Sequence, residues 1–266
     1  MDYLKLYHEK KDFEKETFAE RMEEFGFKNM ARMELFLWDL ELFLQLQKLL
    51  GDKIVLKGGA ATQFYLPRQI QRTSVDIDML FYGTEQEIED TLKQLEELLG
   101  TENGLICFRK HIPKRPKTTL PLHTYYVDVP SVLTNAERNV KEKELPHQEL
   151  KIEFILYPEK CEFKKRTGEN IFAVNSNWEY QILPLNDLFA DKLTTIGCET
   201  IGVQNDRMDE QVKQFYDIMM LTKYCISEID CSAVGKKYME LSDMEWSIRK
   251  GTECNIIHRL LHVVQH

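Results

Sequence analysis

The stretch Val75-Asp76-Ile77-Asp78-Met79-Leu80-Phe81 constrains this chain more than any other. Its apolar residues read as a buried strand, yet it carries two carboxylates. Side chains on a strand alternate between faces, so Asp76 and Asp78 point the same way, about 6–7 Å apart along the backbone. Like charges at that spacing repel and are costly to take out of water. Something cationic must neutralise that face. Hard divalent ions such as Mg²⁺ take oxygen ligands and are commonly held by one or two carboxylates together with substrate phosphates. A bare D-x-D can also be a strand end facing water, but the apolar flanks weigh against that here. An EF-hand is excluded because no D-x-D-x-D-G follows.

Upstream, "KIVLKGG" reads as a short buried strand ending in Gly58-Gly59, and the residues from Ala60 to Leu66 suit a short helix that Pro67 stops. The glycine pair is either a plain turn or a strand-to-helix junction where bare backbone N–H groups approach a phosphate. Ser74 shares the aspartates' face and can bond a phosphate oxygen, while Lys57 is either a phosphate contact or a solvated lysine. In two-metal phosphoryl-transfer sites the ions sit roughly 3.5–4 Å apart. A third carboxylate from a neighbouring strand commonly completes such a site, and Glu153 is the candidate. It lies in "LKIEFILY", where Lys151, Glu153 and Ile155 share one face and Ile152, Phe154 and Leu156 the other.

The chain has 266 residues, 43% of them hydrophobic and 30% charged, which fits a globular protein with a sizeable core. Its 35 Lys and Arg against 44 Asp and Glu give a net charge of −9, which argues against nucleic-acid binding over the whole surface but not at a local basic patch. The opening "MDYLKLYHEKKDFEKE" is too charged for a signal peptide, and the apolar run from Leu35 to Leu50 is interrupted by Asp39, Glu41 and Lys48, so no membrane span and a cytoplasmic location are expected. Six cysteines without a C-x-x-C pair point to reduced thiols, mostly small buried hydrophobes, rather than to a zinc site.

Residues from about Asp12 to Leu50 read as helix, with Leu35, Trp38, Leu42, Leu46 and Leu49 as a core-packing stripe. Thr84 to Leu99 is an amphipathic helix, with Thr84 and Glu87 spaced as a capping box. Extended segments follow at Leu105 to Lys110, Leu122 to Val129 and Leu150 to Tyr157, and from Pro184 onward the pattern is helical. The expected organisation is an N-terminal helical arm (1–50), an α/β core (51–180) and a C-terminal helical domain (181–266).

"LKGGAATQFY" followed by "RTSVDIDM" resembles the signature of the AbiEii/AbiGii-type nucleotidyltransferase toxins, within the DNA-polymerase-β-like nucleotidyltransferase superfamily. A second match lies downstream, in "LNDLFADKLTTIG", then Arg207, then "KQFYDIMML". The resemblance implies an α+β fold, a nucleotidyltransferase-like mixed sheet flanked by helices. It also implies an enzyme using Mg²⁺ (or Mn²⁺) and an NTP, paired with an antitoxin, some relatives acting on the 3′ end of tRNA. By position it makes Asp76 and Asp78 metal ligands and sets Gly58, Gly59 and Ser74 against the triphosphate. Lys192 becomes the family's lysine and Asp217 the last Asp of its final motif. Where relatives carry Asp after the lysine of that motif, this chain has Gln214.

Lys192 sits on an apolar helix among Leu188, Phe189, Leu193 and Ile196, so it either snorkels or is held as a phosphate contact. Asp191 reads as a surface ion-pair former, Lys213 and Asp217 as an i, i+4 helix pair, and Arg207 as a phosphate fork or a surface residue. Two basic clusters, read as loops, offer an RNA docking surface or merely solvated faces: Arg109, Lys110, Lys114, Arg115 and Lys117 in one, Lys160, Lys164, Lys165 and Arg166 in the other. The expected function is Mg²⁺-dependent transfer of NMP to an RNA 3′ end, as the toxin of a toxin–antitoxin or phage-defence system. The alternatives are a catalytically inactive protein that binds nucleotide or a partner, and transfer to a protein or small-molecule acceptor.

Overall fold

The computed structural model describes residues 6–100, 106–112, 121–138, 147–196 and 208–250. The expected continuous helix from Asp12 to Leu50 is three pieces: a 3-10 turn at Lys10–Phe13, helix α1 (Lys15–Phe25) and helix α2 (Met30–Leu50). Gly26 ends α1 with φ of +71°, a left-handed backbone that favours glycine, and the Asn29 side chain caps α2 by accepting from the Arg32 amide. The expected stripe on α2 is too narrow. The helix is buried almost without interruption from Ala31 to Gln45, charged residues included, because it lies across one face of the sheet.

That sheet has seven strands in the order β3-β4-β5-β2-β1-β7-β6. Along the chain these are β1 (Ile54–Leu56), β2 (Asp76–Phe81), β3 (Phe108–Lys110), β4 (Leu122–Pro130), β5 (His147–Leu156), β6 (Lys164–Gly168) and β7 (Ser176–Ile182). The pairing is mixed, with β2 antiparallel to β1 but parallel to β5, and β1 parallel to β7. Strands β6 and β7 have no counterpart in the sequence reading. β6 is an edge strand exposed over most of its length, and β7 is exposed over its first half, so neither shows the hydrophobic alternation that marks a half-buried strand. Helix α3 (Gly58–Gln63) follows β1, and helix α4 (Glu85–Leu99) follows β2, burying Ile88, Leu92, Leu95 and Leu99 at helical spacing. The Thr84–Glu87 capping box is formed. These elements make one compact unit ending at Ile182.

Three carboxylates of α2 are carried into the interior. Glu34 accepts from Ser131 Oγ (2.6 Å) and the Val132 amide (2.8 Å), fixing the turn after β4. Glu41 accepts from the amides of Tyr7 and His8 (both 3.0 Å), from His8 Nδ1 (2.7 Å) and from Gln45 Nε2 (2.6 Å). His8 Nε2 reaches Tyr180 Oη at 2.9 Å, which ties the N-terminal segment to both α2 and β7. Asp39 is the third, and it belongs to the site described below.

The second unit is helical: α5 (Leu185–Thr195), α6 (Met208–Cys225) and α7 (Cys231–Lys250), with α5 packed on both others. Leu188, Ala190, Leu221, Val234 and Leu241 form its core. Among the described residues no helix is long and apolar enough to cross a membrane. Cys107, Cys161, Cys225 and Cys231 stand as thiols, and of these only Cys225 is buried, contrary to the expectation of mostly buried cysteines. Cys198 and Cys254 lie outside the described residues.

Removing Glu41 strands several buried donors at once, whereas removing the Thr84 hydroxyl costs one helix cap. Glu41→Ala is expected to destabilise the sheet unit by about 3–5 kcal/mol and Thr84→Ala by about 1 kcal/mol. Denaturant midpoints compare the two, and equal losses would show the N-terminal clamp to be peripheral.

Candidate active site

The two aspartates start β2, and the neighbouring strands decide what faces them. Parallel pairing with β5 sets Asp76 opposite Lys151 and Asp78 opposite Glu153. Registered partners share a sheet face, so four charged side chains form one patch. Lys151 Nζ lies 3.1 Å from Glu153 Oε2 and 3.6 Å from Asp76 Oδ1. The other oxygen of Glu153 accepts from Thr124 Oγ1 on β4 at 3.2 Å. Lys151 is therefore the cation that the D-x-D strand demanded. Its signal was legible, since "LKIEFILY" puts it on the face of Glu153, but it carried no role in the sequence reading.

On the β1 side, the Lys57 amide donates to the Asp78 carbonyl at 2.8 Å, and the chain then turns at Gly58 with φ of +67°. A methyl group at Gly58 would come within 3.0 Å of Asp78 Cβ, and one at Gly59 within 2.8 Å of both Ser74 Oγ and an Arg72 guanidinium nitrogen. The glycine pair thus lets backbone lie directly on Asp78, Ser74 and Arg72. Ser74 is buried at this contact. Arg72 belongs to the "RTSVDIDM" signature but had been given no role as a site residue.

The electrostatics follow from this crowding. Burial pushes the Asp78 carboxyl up to about 7, with Glu153 and Asp76 adding to the effect and Lys57 and Lys151 opposing it. The Lys151 ammonium is disfavoured by burial, but Glu153, Asp76 and Asp78 together raise its pKa above the usual lysine value. Asp39 on α2 is 1% exposed, and neither of its oxygens has a hydrogen-bond partner. Burial, then the charges of Asp76 and Asp78, raise its carboxyl well above the ordinary aspartate range. In the sequence Asp39 read only as a break in an apolar run.

Among the described residues no three carboxylate, imidazole or thiol groups already converge as an ion cage. The donor chemistry nevertheless fits a hard cation: Asp76, Asp78 and Glu153 offer oxygen ligands on one face, beside a glycine turn that leaves Asp78 uncrowded by any Cβ.

The C-terminal motif residues lie in the helical unit. Lys192 on α5 is 2% exposed and its Nζ meets Asp217 Oδ2 on α6 at 2.9 Å, Asp217 being fully buried. Gln214 Oε1 accepts from the same ammonium at 2.8 Å. Lys192 is thus held inward rather than snorkelling, and Asp217, expected as a helix partner of Lys213, meets Lys192. Asp191, read as a surface residue, is buried. Arg207 lies outside the described residues.

The described members of the two basic clusters lie on opposite edges of the sheet, Arg109 and Lys110 on β3 and Lys164, Lys165 and Arg166 on β6. Arg109 pairs with Asp128 and Glu149, and Lys110 with Glu85 and Glu89. Lys164, Lys165 and Arg166 belong to strand β6 rather than to a loop. Lys165 meets Glu179 at 3.2 Å, Arg166 lies over the Tyr65 ring at 5.0 Å, and nearby Lys160 pairs with Asp52. Lys114, Arg115 and Lys117 lie outside the described residues.

A mixed sheet with D-x-D on a central strand, a glycine turn against it and flanking helices defines an α+β nucleotidyltransferase. The family described as "Nucleotidyl transferase AbiEii toxin, Type IV TA system" matches residues 42–247, and the chain belongs to that family. Comparison with curated proteins gives no significant match. Among solved structures the chain is similar to JHP933 from Helicobacter pylori, with 15% identity over 90% of this chain and 100% of that one and a TM-score of 0.48. It is similar to MenT4, a nucleotidyltransferase toxin of Mycobacterium tuberculosis, with 14% identity over 84% of this chain and 70% of that one and a TM-score of 0.46. It also resembles the Megavirus polyadenylate synthase, with 10% identity over 90% of this chain and 43% of that one and a TM-score of 0.38.

An unfolded aspartate titrates near 3.8, and Asp78 near 7. The folded chain holds a proton there that the unfolded chain gives up. The associated stability is full below about pH 4 and is lost as pH rises through about 7. Asp78→Asn carries no such proton. In chelator-containing buffer its stability relative to the parent chain is expected to climb by on the order of 2–4 kcal/mol between pH 4 and 7 and then level off. Melting curves across that range test this, and a pH-independent difference would contradict a buried, raised carboxyl.

Proposed function

We propose that this protein transfers NMP from an NTP to the 3′-hydroxyl of an RNA, with tRNA the leading acceptor, in a Mg²⁺- or Mn²⁺-dependent reaction that serves as the toxic activity of a toxin–antitoxin or phage-defence pair. The observation that carries the reading is the register of β2 on β5, together with the glycine turn resting on Asp78. Divalent ions, when bound, supply charge neutralisation at the transferring phosphoryl group and activate the attacking hydroxyl. Asp76 and Asp78 hold them, with Glu153 as the third ligand. The Gly58 and Gly59 backbone and the Ser74 hydroxyl seat the triphosphate, and Lys57 adds positive charge beside it. In-line attack on the α-phosphate then releases pyrophosphate, and the protein's contribution is positioning and electrostatic stabilisation. Lys192 and Asp217 are the second half of the family signature, and we assign them a catalytic role, with Arg207 as a further phosphate contact.

Gln214 favours a second reading, that of a protein which binds nucleotide or a partner without transfer, because an amide stands where relatives carry a carboxylate. Its hydrogen bond to Lys192 supports the active reading instead, since the acceptor function at that position is retained.

Purified protein incubated with Mg²⁺, each labelled NTP in turn and total cellular RNA is expected to label an RNA band. Asp76→Ala and Asp78→Asn should each lower labelling at least about 100-fold while remaining folded. Labelling unchanged in both would sink the site assignment, and calorimetric NTP binding without labelling would favour the binding-only reading. Charge reversal at Lys164, Lys165 and Arg166 should raise KM for RNA roughly tenfold without affecting transfer to a small acceptor. If the acceptor is a protein or small molecule, this variant will behave like the parent chain.

A further inference from the structure

Lys151 has no place in the transfer reaction proposed above, yet it occupies the middle of the site. Its ammonium stands between Glu153 (3.1 Å) and Asp76 (3.6 Å), two of the three carboxylates assigned to metal. It is 30% exposed, so water screens these contacts only partly. The placement is built in, because Lys151 is the β5 residue registered opposite Asp76 and is two residues from Glu153 on the same strand face. No side-chain excursion brings it there.

We propose that Lys151 is an internal counter-cation that holds Asp76 and Glu153 in the metal-free protein and competes with a divalent ion for those two carboxylates. Without it, Asp76, Asp78 and Glu153 would face one another across adjacent strands with no positive charge from β5. With it, the patch is stable when empty, and an ion entering must take two carboxylates from an ammonium already bound to them. That competition lowers affinity for the free ion. It favours an ion arriving on a triphosphate, whose own oxygens supply part of the coordination in place of the engaged carboxylates. The absence of a ready-made three-carboxylate cage among the described residues is the geometric counterpart, since Glu153 is turned toward Lys151 and Thr124.

This inference rests on Asp76 and Asp78 being metal ligands, and the experiment separates the two claims. Free Mn²⁺ is titrated into the full chain and followed by electron paramagnetic resonance, for the parent protein and for Lys151→Met, Lys151→Gln, Lys151→Arg and Asp78→Asn. Lys151→Met and Lys151→Gln are expected to bind Mn²⁺ at least about tenfold more tightly than the parent, and Lys151→Arg, which keeps the charge, to differ little. In chelator the two neutral variants should melt below the parent chain. Added Mn²⁺ should then raise their melting temperatures by more than it raises the parent's. Parent-like or weaker Mn²⁺ binding in both neutral variants, or no binding in any protein, overturns the role of Lys151. Parent binding that Asp78→Asn leaves intact overturns the metal assignment itself.

Discussion

The register between β2 and β5 is the constraint on which the site depends. A strand slip of one residue would send Asp76 and Asp78 to the opposite face and set Ile77 in their place. The apolar alternation of both strands forbids this, because Ile77, Met79, Ile152 and Phe154 are all buried on their shared face. The packing of the core therefore fixes the charge pattern: what puts Ile152 beside Ile77 also puts Lys151 beside Asp76 and Glu153 beside Asp78. The glycine turn after β1 adds the remaining condition. Any side chain at Gly58 would collide with Asp78, so the backbone approaches the carboxylate only because that position has none.

Helix α2 shows how the molecule tolerates buried charge around this patch. Glu34 and Glu41 are each surrounded by donors, and each fixes a separate stretch of chain, the turn after β4 in one case and the N-terminal segment in the other. Asp39 differs. It has no donor and lies close enough to Asp76 and Asp78 for their charges to raise its pKa further. Burial without a donor, and then the charges of Asp76 and Asp78, push the Asp39 carboxyl toward its neutral form.

Much of this was legible in the sequence, and the parts that were not share physical causes. The D-x-D strand, the glycine turn, the capped helix at Thr84 and the helical C-terminal segments announced themselves through alternation, capping chemistry and glycine placement. Strands β6 and β7 did not: β6 is an exposed edge with no buried face to imprint on its sequence, and β7 is exposed over its first half and buried without alternation over its second. The basic residues of β6 accordingly read as a loop. The breadth of burial on α2 was hidden because Glu34, Asp39 and Glu41 looked like solvent contacts, and only tertiary donors or protonation make them tolerable inside. Lys151 was hidden differently. Its face was readable but its neighbour was not, since which strand lies beside β2 is a matter of topology.

Gln214 shows the same limit in the helical unit, and there the geometry changes the meaning of a residue. Read against the family motif, an amide in place of a carboxylate is a lost acid. In the structure the position is a hydrogen-bond acceptor to a buried ammonium, and an amide oxygen fills that role as a carboxylate would. What changes is the charge balance. With Gln214, the carboxylate that meets Lys192 is Asp217, and the second acceptor is a neutral amide, so the ammonium gains a hydrogen bond there without a further buried negative charge to desolvate. A buried ammonium needs acceptors and a counter-charge, and Gln214 and Asp217 supply two acceptors and one carboxylate. The departure from the motif therefore leaves the lysine held in place, by a carboxylate on one side and an amide oxygen on the other.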